Sequence, residues 1–187
     1  MELKNKTILF LGSSVTYGWA AGGVSFVDVI QDVCECNCIK AAVSGTTLAD
    51  VNEKSYVARL KSIDEKTKVD LFVCQLSTND ATKKIEIHKI EAAILFILEH
   101  VKKVFGCPVV FYTGTRFDSD EYKQMIALLY RLKNELEFEI LDLFYDEDMA
   151  KISREDYQKY MRDPIHPTLL GYTNWWAPKF IDFLKKL

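Results

Sequence analysis

Five short apolar runs punctuate the chain, and between them the hydrophobic positions become periodic. Thr7–Leu11, Cys38–Val43, Val69–Leu76, Pro108–Thr113 and Phe138–Leu143 carry strand character. Val69–Leu76, "VDLFVCQL", is apolar almost without a break, as expected of a parallel strand covered on both faces. The intervening segments follow helical spacing: about Phe26–Glu35, Tyr56–Asp64, Ile85–Lys103 and Ser119–Leu136, with a last helix from about Thr168 to Lys186. In the third of these, Ile87, Ile90, Ala93, Ile94, Ile97 and Leu98 fall at three- and four-residue steps and form one stripe. Alternating strands and helices predict βαβ units, and so a parallel sheet with helices on both faces. No repeat, linker or low-complexity stretch interrupts the pattern. Residues 1–187 are therefore read as one α/β domain of three αβα layers, with a parallel sheet of about five strands.

Composition adds exclusions. The 187 residues are 49% hydrophobic and 27% charged, as in an ordinary globular chain, and the net charge of −3 offers no basic face to nucleic acid. No apolar run approaches the ~20 residues of a membrane span. Thr7–Leu11 is also too short for a signal-peptide core of ~7–15 residues. A cytoplasmic protein with no integral membrane association is expected. The five cysteines, odd in number, suggest no disulfide framework. Cys34, Cys36 and Cys38 form "CECNC", read as a helix end running into a strand rather than a metal site, because no second Cys/His cluster follows at a zinc spacing. Cys74 and Cys107 lie in or beside apolar runs and are expected to be small core residues. Oligomeric state is not legible in any of these features.

In open parallel sheets ligands bind beyond the carboxyl ends of the strands, so the chemistry is sought there. The first strand runs into Gly12-Ser13-Ser14-Val15-Thr16-Tyr17-Gly18. Two readings fit this block: a βα turn in which Ser and Gly supply turn and cap, or a nucleophile held at the strand end. "SGTT" (Ser44–Thr47) follows the second strand, "STND" (Ser77–Asp80) the third and "GTRFDS" (Gly114–Ser119) the fourth. Beyond the fifth strand and a polar segment comes "RDPIHP", Arg162–Pro167. Asp163 and His166 are three residues apart, so the carboxylate can reach the imidazole Nδ1 locally. Pro164 and Pro167 each bias the preceding residue away from helical dihedrals and stiffen the loop. A general base needs such an orienting partner. A turn whose imidazole bonds only to backbone is the competing reading.

Taken together, these blocks resemble the SGNH (GDSL-type) hydrolases, serine esterases and acylhydrolases with a flavodoxin-like three-layer fold. The Gly-Asp-Ser block of that family is matched by "GSS", which aligns Ser14 with the nucleophile. "AVSGTT" matches the second block with Gly45, "STND" the third with Asn79, and "DPIH" the Asp-x-x-His block with Asp163 and His166. The matches run in order over most of the chain. The resemblance implies ester hydrolysis through an acyl-enzyme on Ser14, with His166 as base and Asp163 as its orienter. It implies an oxyanion hole built from the N–H groups of Ser14 and Gly45 and the side-chain amide of Asn79. A small or carbohydrate-linked ester is the expected partner, and neither cofactor nor metal is required. The chain departs from the family pattern at two positions, Ser13 for the aspartate before the nucleophile and Ser77 for the glycine opening the third block. Both bear on substrate more than on reaction type.

Other residues have weaker claims. Tyr17 and Trp19 are candidate walls of the acyl pocket or core packing residues. Arg116 is a candidate for binding a polar or anionic substrate group, or a solvated surface residue. Trp175 and Trp176 are read as packing residues, and His88 and His100 as functionless. The rival class is a catalytically silent binding module of the same fold, for an acylated or carbohydrate ligand. Hydrolysis of short-chain aryl esters separates the two. A nucleotide or flavin binder is disfavoured, because neither G-x-G-x-x-G nor G-x-x-x-x-G-K-[ST] follows the first strand.

Overall fold

A computed structural model describes residues 1–187 and turns each apolar run into a strand of one sheet. The strands are β1 (Thr7–Gly12), β2 (Asn37–Ala42), β3 (Leu71–Gln75), β4 (Val109–Tyr112) and β5 (Glu139–Leu141). They lie in the order β2-β1-β3-β4-β5, with every neighbouring pair parallel. The chain leaves β1 towards β2 on one side, then returns to place β3 on the other. The strand order thus reverses between β1 and β3, and a crevice opens there at the carboxyl edge.

Ten helices complete the fold: α1 (Ser14–Tyr17), α2 (Phe26–Cys34), α3 (Tyr56–Lys61), α4 (Thr78–Thr82), α5 (Ile87–Val104), α6 (Asp120–Lys133), α7 (Glu147–Ala150), α8 (Arg154–Tyr160), α9 (Leu169–Gly171) and α10 (Ala177–Lys185). A π-helical turn, Tyr172–Trp176, makes α9 and α10 nearly continuous, so the expected last helix is present with a widened turn inside it. Helix α2 starts on a capping box: Ser25 Oγ accepts from Val27 N at 3.2 Å, and Asp28 Oδ2 accepts from Ser25 N at 2.7 Å. It ends at Cys34, with Glu35 in the left-handed region (φ 52°) before β2 begins. "CECNC" is therefore a helix end entering a strand. All five cysteines are unbridged; Cys74 is fully buried and Cys107 half-buried. No helix is long and apolar enough to cross a membrane.

The alternation of side chains along β1 splits the core in two. Leu9 and Leu11 face one layer with α3, α5 and α6, while Ile8 and Phe10 face the other with α2 and α10. In α5 the buried stripe is Ile90, Ala93, Ile94, Ile97 and Val101. Ile87 opens that helix exposed, and Leu98 lies at its edge. In the second layer Phe26 stacks on Phe180 at 4.1 Å and meets Phe10, Tyr112, Tyr172 and Trp176 at 5.4–6.1 Å. Trp176 is buried, and Trp175 packs beside Tyr160. Phe26→Ala removes the ring all these groups share and is expected to destabilise the fold by about 3–5 kcal/mol. Urea unfolding at an unchanged m-value checks this, and a loss under about 1 kcal/mol contradicts it.

Candidate active site

The turn after β1 is built by close approach. A Cβ on Gly12 would lie 1.7 Å from Thr16 Oγ1 and 2.8 Å from Gln75 Oε1, so only glycine allows the turn to fold back this tightly. Gln75, the last residue of β3, then collects three donors on one oxygen: Ser13 N at 2.9 Å, Ser13 Oγ at 3.3 Å and Thr16 Oγ1 at 2.9 Å. Thr16 Oγ1 also meets the Tyr112 hydroxyl of β4 at 2.6 Å, and Tyr172 OH donates to Val15 O at 2.8 Å. The two serines consequently have different fates. Ser13 is wholly buried beneath the turn, whereas Ser14 lies at the rim with its Oγ 2.8 Å from His166 Nε2.

The loop that carries His166 is cinched at its base. Met161 and Pro167 form an isolated antiparallel bridge, and Arg162 N donates to His166 O at 2.8 Å. Within it the Asp163 carboxylate accepts from Ile165 N (2.8 Å) and His166 N (2.9 Å), and lies 2.8 and 3.0 Å from His166 Nδ1. The local Asp–His contact expected from "DPIH" is present. Partial burial works against the Asp163 charge, but the Ile165 N–H, the imidazole and the His166 N–H outweigh it and hold its pKa below the ordinary carboxylate value. An ionised Asp163 can accept from Nδ1–H, and in that tautomer the lone pair of Nε2 faces Ser14 Oγ.

The residues expected to supply the anion donors follow the ends of β1, β2 and β3. Ser14 is the first residue of α1, where a backbone N–H has no intrahelical acceptor. Gly45 adopts φ 77°, a region glycine tolerates best, and its N–H donates to no backbone carbonyl. Asn79 Nδ2 donates to Thr46 O at 2.8 Å, which ties α4 to the Gly45 loop and leaves one amide proton of Asn79 to spare. The same loop is clamped by Asp80, whose buried carboxylate accepts from Leu48 N (2.7 Å) and Ala49 N (2.9 Å). Burial raises the Asp80 pKa, against the Ser77 hydroxyl and those two N–H groups. Ser13 and Ser77, the two departures from the family pattern, are both fully buried beside the Tyr56 hydroxyl rather than facing the site.

The candidate wall residues divide. Trp19 is 54% exposed with its ring 4.9 Å from that of His166. Tyr17 is also partly exposed, with its phenol beside Gly23. Neither is core packing. Arg116 holds its guanidinium over the Tyr145 ring, in a cleft of about 530 Å³ at the ends of β4 and β5 that contains no member of the Ser14–His166–Asp163 trio. His88 is exposed, and His100 stacks on Phe96. Sequence reasoning passed over Gln75 and Asp80, which hold the turn after β1 and the Gly45 loop. Only Gln75 left a signal, as a polar residue closing a buried apolar run.

No curated protein sequence matches the chain. Among solved structures, it is similar to a member of the lipolytic protein G-D-S-L family from Veillonella parvula, with a TM-score of 0.78, 16% identity and coverage of 97% of this chain and 100% of that one. It is also similar to Axe2, an acetylxylan esterase from Geobacillus stearothermophilus, with a TM-score of 0.73, 16% identity and coverage of 97% and 95%. A third likeness is to a family two carbohydrate esterase from Clostridium thermocellum in complex with cellohexaose, with a TM-score of 0.75, 13% identity and coverage of 97% of this chain and 64% of that one. At such identities these likenesses speak for the fold. The sequence itself matches the profile of the GDSL-like Lipase/Acylhydrolase family over residues 10–173, nearly the whole chain, and the protein belongs to that family.

Proposed function

We propose that the protein is a serine esterase that cleaves carboxylic esters of small or carbohydrate-linked substrates through an acyl-enzyme on Ser14. The observation that carries this is the continuous contact from Ser14 Oγ to His166 Nε2 and from His166 Nδ1 to Asp163. In the reaction, Ser14 Oγ attacks the ester carbonyl as Nε2 takes its proton. Asp163 keeps the other ring nitrogen protonated and stabilises the imidazolium. The carbonyl oxygen gains charge and is met by the N–H groups of Ser14 and Gly45 and by the free amide proton of Asn79. His166 then returns its proton to the departing alcohol. Water, activated by the same nitrogen, releases the acid from Ser14. No metal or organic cofactor takes part. The acetylxylan and family two esterases among similar folds support a carbohydrate-linked ester, and the half-exposed Trp19 beside His166 offers an aromatic face on which a sugar ring can rest. The five unbridged thiols support a cytoplasmic setting.

Incubation with a short-chain aryl ester and with a serine-directed phosphonate tests the reading. Ester turnover and a mass increment on the peptide carrying Ser14 are expected; absence of both removes it. The anion site has its own test. Asn79→Ala is expected to lower kcat by roughly 10²-fold, with a smaller change in KM, because the amide bond strengthens only as the oxyanion forms. A raised KM at unchanged kcat makes Asn79 a substrate-binding residue instead.

A further inference from the structure

We infer that Arg59, on α3, is a positioning residue of the anion site: its guanidinium fixes the end of β1, behind the nucleophile, to the loop that carries Gly45. The inference rests on the acyl-transfer reading of Ser14. Arg59 Nη2 donates to Gly12 O at 2.8 Å and to Thr46 Oγ1 at 3.1 Å, Nη1 donates to Ala41 O, and Nε donates to Lys54 O at 3.0 Å. One planar group thus joins the last turn of β1, the end of β2, the Gly45 loop and the approach to α3. Thr46 is the relay. Its hydroxyl accepts from Arg59 and donates to Val43 O at 2.6 Å, while its carbonyl accepts from Asn79 Nδ2 at 2.8 Å. Two of the three anion donors, Gly45 N–H and the Asn79 amide, are therefore referred to the third, Ser14 N–H, through Arg59.

The electrostatics point the same way. The carbonyls of Gly12, the last residue of β1, and Ala41, the last but one of β2, lie at the carboxyl ends of two parallel strands, and their negative ends disfavour an oxyanion there. Arg59 covers both. Every hydrogen-bond partner of the guanidinium is an uncharged oxygen, so no carboxylate cancels the cation. Burial lowers its pKa, but a guanidinium keeps its proton at any working pH. A half-buried cation without a counter-charge is a poor choice for packing alone. A lysine, a compact charge without a fork, cannot span the same four acceptors.

The test measures kcat and KM on a short-chain aryl ester for wild type, Arg59→Lys, Arg59→Ala and Arg59→Ala with methylguanidinium. Thermal unfolding and amide exchange of residues 44–49 are followed in parallel, with β3 as internal reference. Arg59→Ala is expected to lose roughly 10- to 10²-fold in kcat, with KM within about 3-fold, as donors misplaced by a fraction of an ångström would give. Methylguanidinium restores most of it, and Arg59→Lys lies between. Exchange of residues 44–49 quickens in Arg59→Ala while β3 stays protected. A kcat within about 2-fold of wild type, or a loss that methylguanidinium does not restore, overturns the inference. If wild type neither turns over the ester nor takes up the phosphonate, the acyl-transfer reading fails instead. Exchange then decides the placement of Arg59: a quickening of residues 44–49 that methylguanidinium reverses upholds it, and unchanged exchange removes it.

Discussion

Ser14→Ala is expected to reduce ester hydrolysis to background, a loss on the order of 10⁴-fold or more, and to abolish phosphonate labelling. Ser13→Ala is expected to retain both. The neighbouring serines are chemically identical, and their surroundings separate them. Ser14 Oγ is 2.8 Å from a nitrogen able to take its proton. Ser13 Oγ donates to the side-chain Oε1 of Gln75 at 3.3 Å, lies beside the Tyr56 hydroxyl, and has neither a nitrogen to take its proton nor exposure to solvent. Removing the Ser13 hydroxyl leaves Gln75 Oε1 with two donors, Ser13 N and Thr16 Oγ1, so the turn should hold at a cost of about 1 kcal/mol. Ser14→Ala removes the attacking atom and leaves that bracing intact. Its thermal midpoint should therefore stay close to that of wild type, which separates lost chemistry from lost fold. An active Ser14→Ala beside a dead Ser13→Ala would shift the nucleophile by one residue and contradict the geometry described above.

What was legible in the sequence was what is local. The buried strands β1, β3 and β4 announce themselves as apolar runs, and the edge strands β2 and β5, though less buried, still follow apolar runs, so all five were found within about two residues at their starts. Asp163 and His166 are three residues apart, and their contact follows from that spacing. The short helices were not foreseen. A single turn such as Ser14–Tyr17 or Thr78–Thr82 has no period to detect, and its shape is set by the strand end it leaves. The bracing of the site was equally hidden. Gln75 acts on Ser13 across 62 positions, and Arg59 on Gly12 across 47. Nothing in the vicinity of either residue names its partner. Trp19 and Trp176 show the same limit from another side. Both are tryptophans near glycines or aromatics in sequence, yet one is half-exposed over the imidazole and the other sealed in the core. Exposure follows from the three-dimensional path of the chain, and so does the difference in role.

Asp163→Asn is expected to lower kcat by about 10⁴-fold. In wild type, activity should be low in acid, where a base that already carries a proton cannot accept one from Ser14 Oγ, and should rise to a plateau with the loss of one proton. Asp163 has its pKa held below the ordinary carboxylate value, so it stays ionised throughout the rise. The sign of its effect on stability agrees. A depressed carboxylate pKa stabilises the fold above the unfolded value of about 4, and that stabilisation is lost only as pH falls through the lower folded value. Unfolding through Asp163 therefore lies acid of the kinetic limb and cannot imitate it. In Asp163→Asn the side-chain oxygen can still accept from Ile165 N and His166 N, which keeps the loop in place. The amide group then faces Nδ1 as a donor and drives the imidazole proton to Nε2, where it blocks acceptance from Ser14 Oγ. The charge that stabilises the imidazolium formed during the reaction is also gone, which lowers the rate further. Measuring kcat/KM from about pH 5 to about pH 9 for both proteins decides the matter. A flat profile in wild type with chemistry-limited turnover would remove His166 as the base. An Asp163→Asn enzyme within about 10-fold of wild type would show that the carboxylate orients the loop without governing the imidazole proton.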